Sequence, residues 1–278
     1  MVDLLTPATV QASLRRHGIT PSRALGQNFL VDPNTARRIV RLAELPKDAT
    51  VVEIGPGLGS LTLALVEAGA RVIAVELDRH VLAPLREHLA GAPVTIVEAD
   101  ALTIDWDSLF DRHEAERVAL VANLPYNIAT PVIVRVLETS ARVDSILVMV
   151  QREVGERLAA QPRTKAYGAV TVKTAFHARA EVVGIVPPTV FVPKPNVESA
   201  LVRLVPHATP PVEVADVEAM FSLVRAGFAT RRKMLRQSLK SALGDSTVDR
   251  LAAAGIEPTA RAEELVLEDW ARLASVVG

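Results

Sequence analysis

The chain has 278 residues, of which 49% are hydrophobic and 4% aromatic, and its formal net charge is −1. It contains no cysteine, which excludes disulfides, thiol chemistry and cysteine-ligated metal sites, and its six histidines show no HxH or HxxxH spacing, so no metal site is predicted. The N-terminal segment lacks the apolar core of a signal peptide, and no run of about 18 apolar residues occurs, so we expect a soluble cytoplasmic protein without a membrane span.

From about residue 36 onward, short β-branched runs alternate with segments of helical spacing. Runs of this kind are typical of strands buried on both faces, and they occur at TVVEIG (50–55), RVIAVEL (71–77), PVTIVEA (93–99), RVALVANL (117–124) and DSILVMVQ (144–151). Strands separated by helices imply right-handed crossovers. The pattern therefore predicts an α/β fold with a mostly parallel sheet.

The pattern changes after the fifth predicted strand. Residues 181–206, EVVGIVPPTVFVPKPNVESALVRLVP, indicate strands interrupted by a proline-rich loop. After the linker PHATPP (206–211), the chain has helical spacing to its end. We therefore predict a first domain of residues 1–205 and a small all-helical domain of residues 206–278.

A glycine-rich turn follows the first predicted strand, with glycines at Gly55, Gly57 and Gly59. Such a turn lets a ligand approach the backbone closely. A dinucleotide fingerprint requires glycine where Ser60 stands, whereas GxGxG preceded by Glu53 is the pattern of S-adenosylmethionine methyltransferases. A turn that only tightens a strand-to-helix connection is the alternative.

Polar residues also end the next three predicted strands, at Glu76, Asp100 and Asn123. A carboxylate at Glu76 can accept hydrogen bonds from ribose hydroxyls, and one at Asp100 can accept from the exocyclic amine of adenine. Each is also compatible with a solvated strand end. Together with the glycines they predict a cofactor site beyond the carboxyl ends of the strands. A nicotinamide enzyme, the alternative for the same acidic residue, explains neither GxGxG nor the motif that follows.

The motif NLPY occupies residues 123–126. An adenine N6 amine is a poor nucleophile because its lone pair is delocalised into the ring, so an enzyme that methylates it must hold the amine with acceptors. The Asn123 carboxamide oxygen and the Leu124 carbonyl can supply them, Pro125 rigidifies the turn, and Tyr126 can stack on the base, a contact worth about 1–3 kcal/mol. An ordinary strand-to-helix loop, with the asparagine as a cap and the tyrosine in the core, is the alternative.

In the glycine-rich turn, the NLPY motif and several further segments, the chain resembles the rRNA adenine dimethyltransferases of the KsgA/Dim type. The matching segments keep the family's order over almost the whole length and are GQNFLVD (26–32), VVEIGPGLGSLT (51–62), VELD (75–78), EADAL (98–102), VANLPYNI (121–128), MVQREVGERL (149–158), FVPKPNVESALVRL (191–204) and FATRRKMLRQSL (228–239). The resemblance implies a Rossmann-like sheet that binds S-adenosylmethionine and a small helical C-terminal domain that binds RNA.

The activity that the resemblance implies is N6,N6-dimethylation of two adjacent adenines in a hairpin near the 3′ end of 16S rRNA. The partner would be the 30S subunit or its precursor, with a role in 30S biogenesis, and the enzyme would be a monomer that needs no metal. Carried over by position, the contacts to S-adenosylmethionine are Gln27, Asn28, Leu30, Gly55, Gly57, Glu76, Leu77, Asp100, Ala101 and Asn123. The resemblance also implies that the segment GQNFL is an arm that folds over the cofactor. The alternative, a segment that only precedes a helix capped by Asp32, is compatible with that role.

Phe191 lies between prolines in VFVPKPNVES. A core position is the default for phenylalanine, whereas the family uses this residue to sandwich the target base opposite the NLPY tyrosine. We predict the sandwich. The target base would have to be splayed out of its hairpin to enter it, as is usual for enzymes that act on base atoms.

Two basic segments predict RNA contacts on this otherwise neutral chain. Residues 225–240 carry six basic residues and no acidic one, and residues 151–168 add further basic residues. We predict RNA-binding side chains at Arg231, Arg232, Lys233, Arg236, Arg163 and Lys165. A solvated helix face is the alternative for the first segment.

Two other functions stay open at the level of the sequence. Enzymes of the erythromycin-resistance type dimethylate one adenine of 23S rRNA with an NLPY-like site, although FVPKPNVESA and RRKMLR favour the small-subunit family. A ribosome-assembly factor that binds immature 30S particles without methylating them is the non-enzymatic alternative, and the intact NLPY motif argues against it.

Overall fold

A computed structural model describes residues 3–22 and 26–277. In its first part the chain runs through α1 (Pro7–Arg16), β1 (Phe29–Leu30), α2 (Pro33–Ala43), β2 (Thr50–Ile54), α3 (Ser60–Glu67), β3 (Arg71–Glu76), α4 (Arg79–His88), β4 (Val94–Glu98), α5 (Trp106–Arg112), β5 (Val118–Asn123), α6 (Ala129–Thr139) and β6 (Val143–Gln151). It continues through α7 (Arg152–Leu158), α8 (Ala169–His177), β7 (Ala178–Val186), β8 (Phe191–Val192), β9 (Ser199–Pro206), α9 (Val217–Ala229), α10 (Leu235–Ser238), α11 (Lys240–Leu243), α12 (Thr247–Ala253) and α13 (Leu267–Val277).

The main sheet has seven strands in the order β4-β3-β2-β5-β6-β9-β7. Strands β2 to β6 pair in parallel, and β9 pairs with β6 antiparallel. All five strands predicted from apolar runs lie within about one residue of their predicted bounds, because parallel strands are covered on both faces and need continuous apolar sequence. The predicted α/β sheet is confirmed.

Aspartate side chains cap the N-termini of α2, α4 and α5. The carboxylate of Asp32 accepts from Thr35 N at 2.8 Å before α2, and that of Asp78 accepts from His80 N at 3.0 Å before α4. Such caps satisfy backbone N–H groups that the first helical turn leaves unpaired. Helix α4 starts directly after its cap, so only Leu77 and Asp78 separate it from β3.

Contacts divide the chain into two compact units. One contains the residues up to Gly155 and Glu181–Pro206, with the sheet and its helices, and the other contains Glu156–Ala180 and His207–Gly278. No helix within the two described stretches of the chain has the length and apolar character to cross a membrane.

The observed units differ from the predicted division at residue 205. Residues 156–180 belong with the C-terminal helices, since Tyr167, Val172 and Phe176 share a buried cluster with Phe221 and Trp270. The Tyr167 hydroxyl also donates to the Leu265 carbonyl at 2.7 Å. The sequence did not indicate this, because a helix between two strands looks like another crossover and the pattern does not say which core its apolar face joins.

Gly227 in α9 leaves room for the ring of Trp270 in the core of the helical unit. A Cβ atom on Gly227 would lie 2.6 Å from the ring atom Cη2, and this tryptophan is fully buried. We expect Gly227→Ala to lower the free energy of unfolding by about 1–2 kcal/mol, since overpacking outweighs the better helix propensity of alanine.

Urea unfolding followed by circular dichroism would measure this change. Gly168→Ala in the same unit is the control, because a Cβ there meets nothing within 4 Å and the φ of −166° suits any residue. An equal loss in both variants would contradict the packing argument.

Candidate active site

The strand order reverses between β2 and β5, and a cavity of about 440 Å³ opens beyond their carboxyl ends. Open α/β sheets bind ligands at such switch points, and the volume falls in the range of small-molecule sites. The residues that line the cavity are Gly26, Gln27, Asn28, Phe29, Leu30, Glu53, Gly55, Pro56, Gly57, Leu58, Ser60, Leu61, Glu76, Leu77, Asp78, Arg79, His80 and residues 123–128. Most of the predicted cofactor contacts therefore meet at one cavity.

The glycine-rich turn forms one wall of this cavity with bare backbone. Gly55 and Gly57 have φ angles of +68° and +57°, which side chains rarely tolerate. A Cβ on Gly57 would lie 2.9 Å from the ring of Phe29, and one on Gly55 would lie 3.1 Å from Pro125. Glycine is therefore required at Gly55 and Gly57 for two reasons: the backbone there is left-handed, and neighbouring segments approach it closely.

Glu76 joins the turn to the end of β3. Its Oε2 accepts from Gly57 N at 3.1 Å, and its Oε1 accepts from Leu77 N and Asp78 N, both at 2.9 Å. Burial raises the pKa of Glu76, while these three backbone donors act in the opposite direction. A carboxylate has about four acceptor positions, so about one remains for a ligand hydroxyl. Leu77 beside it is 58% exposed and offers an apolar surface to the same cavity.

The predicted arm lies against the glycine-rich turn. Its strand β1 pairs antiparallel with β8, and the Ser60 hydroxyl donates to the Leu30 carbonyl at 2.5 Å. Gln27 Nε2 donates to Asp78 Oδ2 at 2.6 Å, which connects the arm to the cap of α4. Gln27, Asn28 and Leu30 all line the cavity.

The NLPY segment closes the site at the end of β5. Asn123 Nδ2 donates to the Asn28 carbonyl at 3.1 Å, which fixes the carboxamide and leaves its Oδ1 without a partner among the described residues. Leu124 is buried and its N–H donates to the Met149 carbonyl at 3.1 Å, while Pro125 packs on Gly55. The segment is therefore held by the strands on both sides of it.

Tyr126 is half-buried, and its hydroxyl shares a hydrogen bond of 2.8 Å with Ser199 Oγ. Burial raises the pKa of this hydroxyl and the bond to Ser199 opposes the shift. The tyrosine therefore stays neutral and uncharged through the physiological pH range. Its place suits a fixed aromatic surface better than an acid or base.

A second cavity of about 540 Å³ adjoins the first. Gly26, Gln27, Asn28, Tyr126 and Asn127 line both of them, and the second is completed by Gln151, Pro193, Lys194, Pro195, Asn196 and Val197. The arm and Tyr126 thus stand between two spaces, of which only the first is bounded by the glycine-rich turn. The sequence did not indicate Gln151 or the loop 193–197 as lining residues, because their role depends on the pairing of β6 with β9.

The prediction for Phe191 is wrong in this structure. Its side chain is 2% exposed, packs in a buried cluster with Leu30 and Leu201, and lines neither cavity. The reason is the pairing of β8 with β1, which sets Phe191 opposite Leu30 in that cluster. The proline-rich loop that follows Phe191, residues 193–197, lies on the second cavity in its place.

Asp100 and Ala101 also do not line either cavity. Asp100 Oδ1 accepts from Leu102 N at 2.8 Å, within its own turn, and Ala101 is buried. They follow β4, which is the edge strand and lies two strands from β2 on the side away from β5. The carboxylates that do line the first cavity are Glu53, Glu76 and Asp78.

The predicted RNA-binding residues all belong to the helical unit. Arg231 Nε donates to Glu263 Oε2 at 2.9 Å and Arg231 Nη2 donates to the Thr164 carbonyl at 3.1 Å, while Arg163 N donates to the Glu263 carbonyl at 2.7 Å. These bonds bring the two basic segments together as one basic patch, defined as Arg163, Lys165, Arg231, Arg232 and Lys233.

Within the basic patch, Arg231 forms an ion pair with Glu263. Arg232 and Lys233 are exposed and make no ion pair with any described residue. Residues 231–233 lie in the turn between α9 and α10, not on a helix face as the sequence suggested. Arg236, in α10, is exposed as well.

Comparison with known proteins identifies relatives over the whole chain. A model of the family described as Ribosomal RNA adenine dimethylase matches residues 20–277. The chain is 40% identical over its full length to Ribosomal RNA small subunit methyltransferase A of Bacillus mycoides (strain KBAB4), 98% of which is covered.

Two solved structures are also similar. The 23S rRNA methyltransferase ErmE is 32% identical, with a TM-score of 0.66 over 90% of this chain and 99% of the other. A dimethyladenosine transferase from Plasmodium falciparum shares the fold, with 22% identity and a TM-score of 0.74 over 88% of this chain and 95% of the other.

Replacement of Glu76 tests whether the first cavity holds the cofactor. Glu76→Ala removes the remaining acceptor and also frees Gly57 N, so we expect the affinity for S-adenosylmethionine to fall by about 1–3 kcal/mol, or roughly tenfold to a hundredfold. Calorimetric titration measures the affinity. Glu67→Ala, which removes an exposed carboxylate at the end of α3, is the control. A Glu76→Ala affinity within twofold of the unmodified protein would contradict the assignment.

Proposed function

The chain belongs to the ribosomal RNA adenine dimethylase family and is an S-adenosylmethionine-dependent rRNA adenine dimethyltransferase, and we propose that its substrate is a pair of adjacent adenines in a hairpin near the 3′ end of 16S rRNA. The observation that carries this proposal is the carboxamide of Asn123. Its nitrogen is held by the Asn28 carbonyl, which leaves its oxygen as an acceptor beside Tyr126.

The first cavity fits S-adenosylmethionine in size and chemistry. The backbone wall at Gly55 and Gly57 gives close access that a Cβ would fill, and Glu76 offers an acceptor for the ribose. Leu77 presents its exposed side chain for the adenine ring. When bound, the cofactor supplies a methyl group already activated by a sulfonium, so the protein has mainly to align the attacking nitrogen with it. Asp100 and Ala101 are left out of this proposed cofactor site.

In the second cavity we place the target adenine. Tyr126 is fixed by Ser199 and would present its ring to the base, with the prolines of the loop 193–197 as the facing wall in place of Phe191. The Asn123 oxygen and the Leu124 carbonyl belong to residues that line the first cavity, and they would accept from the N6 amine where it reaches past Tyr126 into that cavity. Acceptors at the amine favour a pyramidal nitrogen, whose lone pair is then free to attack the methyl group.

The small ribosomal subunit is the proposed particle. The full-length identity of 40% is to a protein whose name specifies the small subunit, against 32% to a 23S rRNA methyltransferase. The latter likeness makes 23S rRNA the second candidate substrate. Methyl transfer assayed on 30S particles and on 23S rRNA distinguishes them, and modification of 23S rRNA alone would overturn the proposal. We further propose a monomer in the cytoplasm, active during 30S biogenesis.

Substitutions at two positions of NLPY should impair methyl transfer to different extents. Asn123→Ala removes both the acceptor and the bond to the arm, so methyl transfer to 30S subunits should fall by roughly a hundredfold or more. Tyr126→Phe loses one hydrogen bond, about 0.5–1.5 kcal/mol or two- to tenfold in rate, whereas Tyr126→Ala loses stacking, about tenfold to a hundredfold.

The chain offers a matched control for the hydroxyl. Tyr167→Phe removes the other tyrosine hydroxyl, which bonds to Leu265 in the helical unit. Folding of every variant is checked by thermal unfolding. If Tyr126→Phe proves as inactive as Asn123→Ala, the hydroxyl carries chemistry and the stacking role is wrong.

The basic patch is proposed to contact rRNA phosphates. Arg232→Ala combined with Lys233→Ala should reduce the slope of log affinity against log salt by roughly 1–2, because two phosphate contacts are lost, and should leave binding of S-adenosylmethionine unchanged. Filter binding at several salt concentrations measures the slope.

Arg225→Ala combined with Arg250→Ala is the control, because it removes the same charge from α9 and α12. Equal slopes for the two double variants would mean that Arg232 and Lys233 act only through net charge. Arg231 is not suited to this test, since its loss also frees Glu263.

A further inference from the structure

Glu53 is a carboxylic acid in the wall of the first cavity that the proposed chemistry does not use. It lies in the central strand β2, is 1% exposed, and belongs to the lining of that cavity. Its Oε2 makes no hydrogen bond of normal geometry with any described residue, and neither does the hydroxyl of the nearby Thr62. A buried carboxylate without a partner is unfavourable, so such a group is held neutral unless a cation is supplied.

The charges around Glu53 do not supply that cation. The other titratable or charged side chains that line the same cavity are Glu76 at the end of β3, Asp78 at the cap of α4, Arg79 and His80 at the start of α4, and Tyr126, which is neutral. Arg79 is paired with Glu98. The neighbouring strands contribute Ala74 from β3 and Leu120 beside Val52 from β5, which carry no charge.

The direction of the ionisation follows from these surroundings. Burial raises the pKa of Glu53 to about 8, the negative charge of Glu76 adds to the rise, and Thr62 offsets part of it. Glu76 differs, because three backbone N–H groups bond to its oxygens and favour the ionised form. At neutral pH Glu53 is therefore mostly protonated, whereas the rise that burial causes in the pKa of Glu76 is opposed by its three backbone donors.

We propose that Glu53 holds a proton in the empty enzyme and releases it to solvent when the cofactor binds, so that cofactor binding and one ionisation are coupled. The inference rests on the proposed placement of S-adenosylmethionine in the first cavity. The cofactor and its demethylated product both carry an α-ammonium group, and the cofactor also carries a sulfonium. An opposite charge within about 4–6 Å lowers a carboxyl pKa by about 1–3 units.

The step balances without any other reactant. The neutral carboxyl becomes a carboxylate, its proton passes to the buffer, and the ligand cation compensates the new charge. Since the empty site is protonated below its pKa and the occupied site is ionised, affinity should rise with pH. Between pH 6 and pH 7 we expect the affinity to rise by about two- to eightfold, and the rise should level off above pH 8.

Calorimetry with S-adenosylhomocysteine tests the coupling directly. The observed heat at pH 7 is measured in two buffers of different ionisation enthalpy, which gives the number of protons released. We expect roughly 0.5–0.9 proton for the unmodified enzyme. Glu53→Gln, a neutral group of the same shape, should release almost none, and its affinity should not depend on pH. Glu87→Gln is the control, because Glu87 does not line the cavity. This substitution removes the ion pairs of Glu87 with Arg16 and His17, and the number of protons released on ligand binding should stay as in the unmodified enzyme.

A second ligand keeps the test independent of the variant. 5′-Methylthioadenosine has the adenosine part but no ammonium, so the unmodified enzyme should bind it with little proton release. Equal release with both ligands, equal release by Glu53→Gln, or normal affinity for S-adenosylhomocysteine with no proton released would each overturn the inference. Unchanged affinity in Glu76→Ala would instead count against the first cavity as the cofactor site, so the two failures can be told apart.

Discussion

A hydrogen bond of 3.1 Å from Asn123 Nδ2 to the Asn28 carbonyl joins the end of β5 to the arm that borders both cavities. It sets the direction of the carboxamide, and through it the position of the acceptor oxygen. The arm is held in turn by Ser60 at the glycine-rich turn and by Asp78 at the cap of α4. The segments that follow β2, β3 and β5 are thus connected through a stretch of chain that belongs to none of these strands.

The electrostatics of the first cavity complement this arrangement. Three carboxyl groups line the first cavity, and they differ in the hydrogen-bond donors around them. Glu76 is bonded by backbone donors, and Asp78 accepts from Gln27 and from the first turn of α4. The Oε2 atom of Glu53 accepts no hydrogen bond of normal geometry from the described residues. A cavity with these three carboxyl groups suits a ligand that carries both hydroxyl groups and positive charge.

Much of the fold was predictable because the spacing of apolar residues along the sequence identifies the strands and helices. Buried parallel strands need continuous apolar runs, and the polar residue that ends each run marks the edge where ligands bind, which is why Glu76 and Asn123 could be placed correctly on the first cavity. Phe191 could not be placed, since its burial depends on a two-residue strand pairing with β1, more than 150 positions away. Residues 156–180 were misassigned for a similar reason, because an amphipathic helix does not specify the core it joins.

The Asn123 oxygen accepts no hydrogen bond from the described residues, and its proposed role as an acceptor for the target amine bears on when methylation stops. An unmodified adenine amine has two N–H groups and a monomethylated one has one, so both can still donate to this oxygen. A dimethylated amine has none, and the acceptor is then left facing a carbon. Buried acceptors without a donor are unfavourable by about 1–3 kcal/mol. In the proposed placement of the adenine, the site would hold the amine for each of two transfers and would lose that contact once both hydrogen atoms of the amine have been replaced.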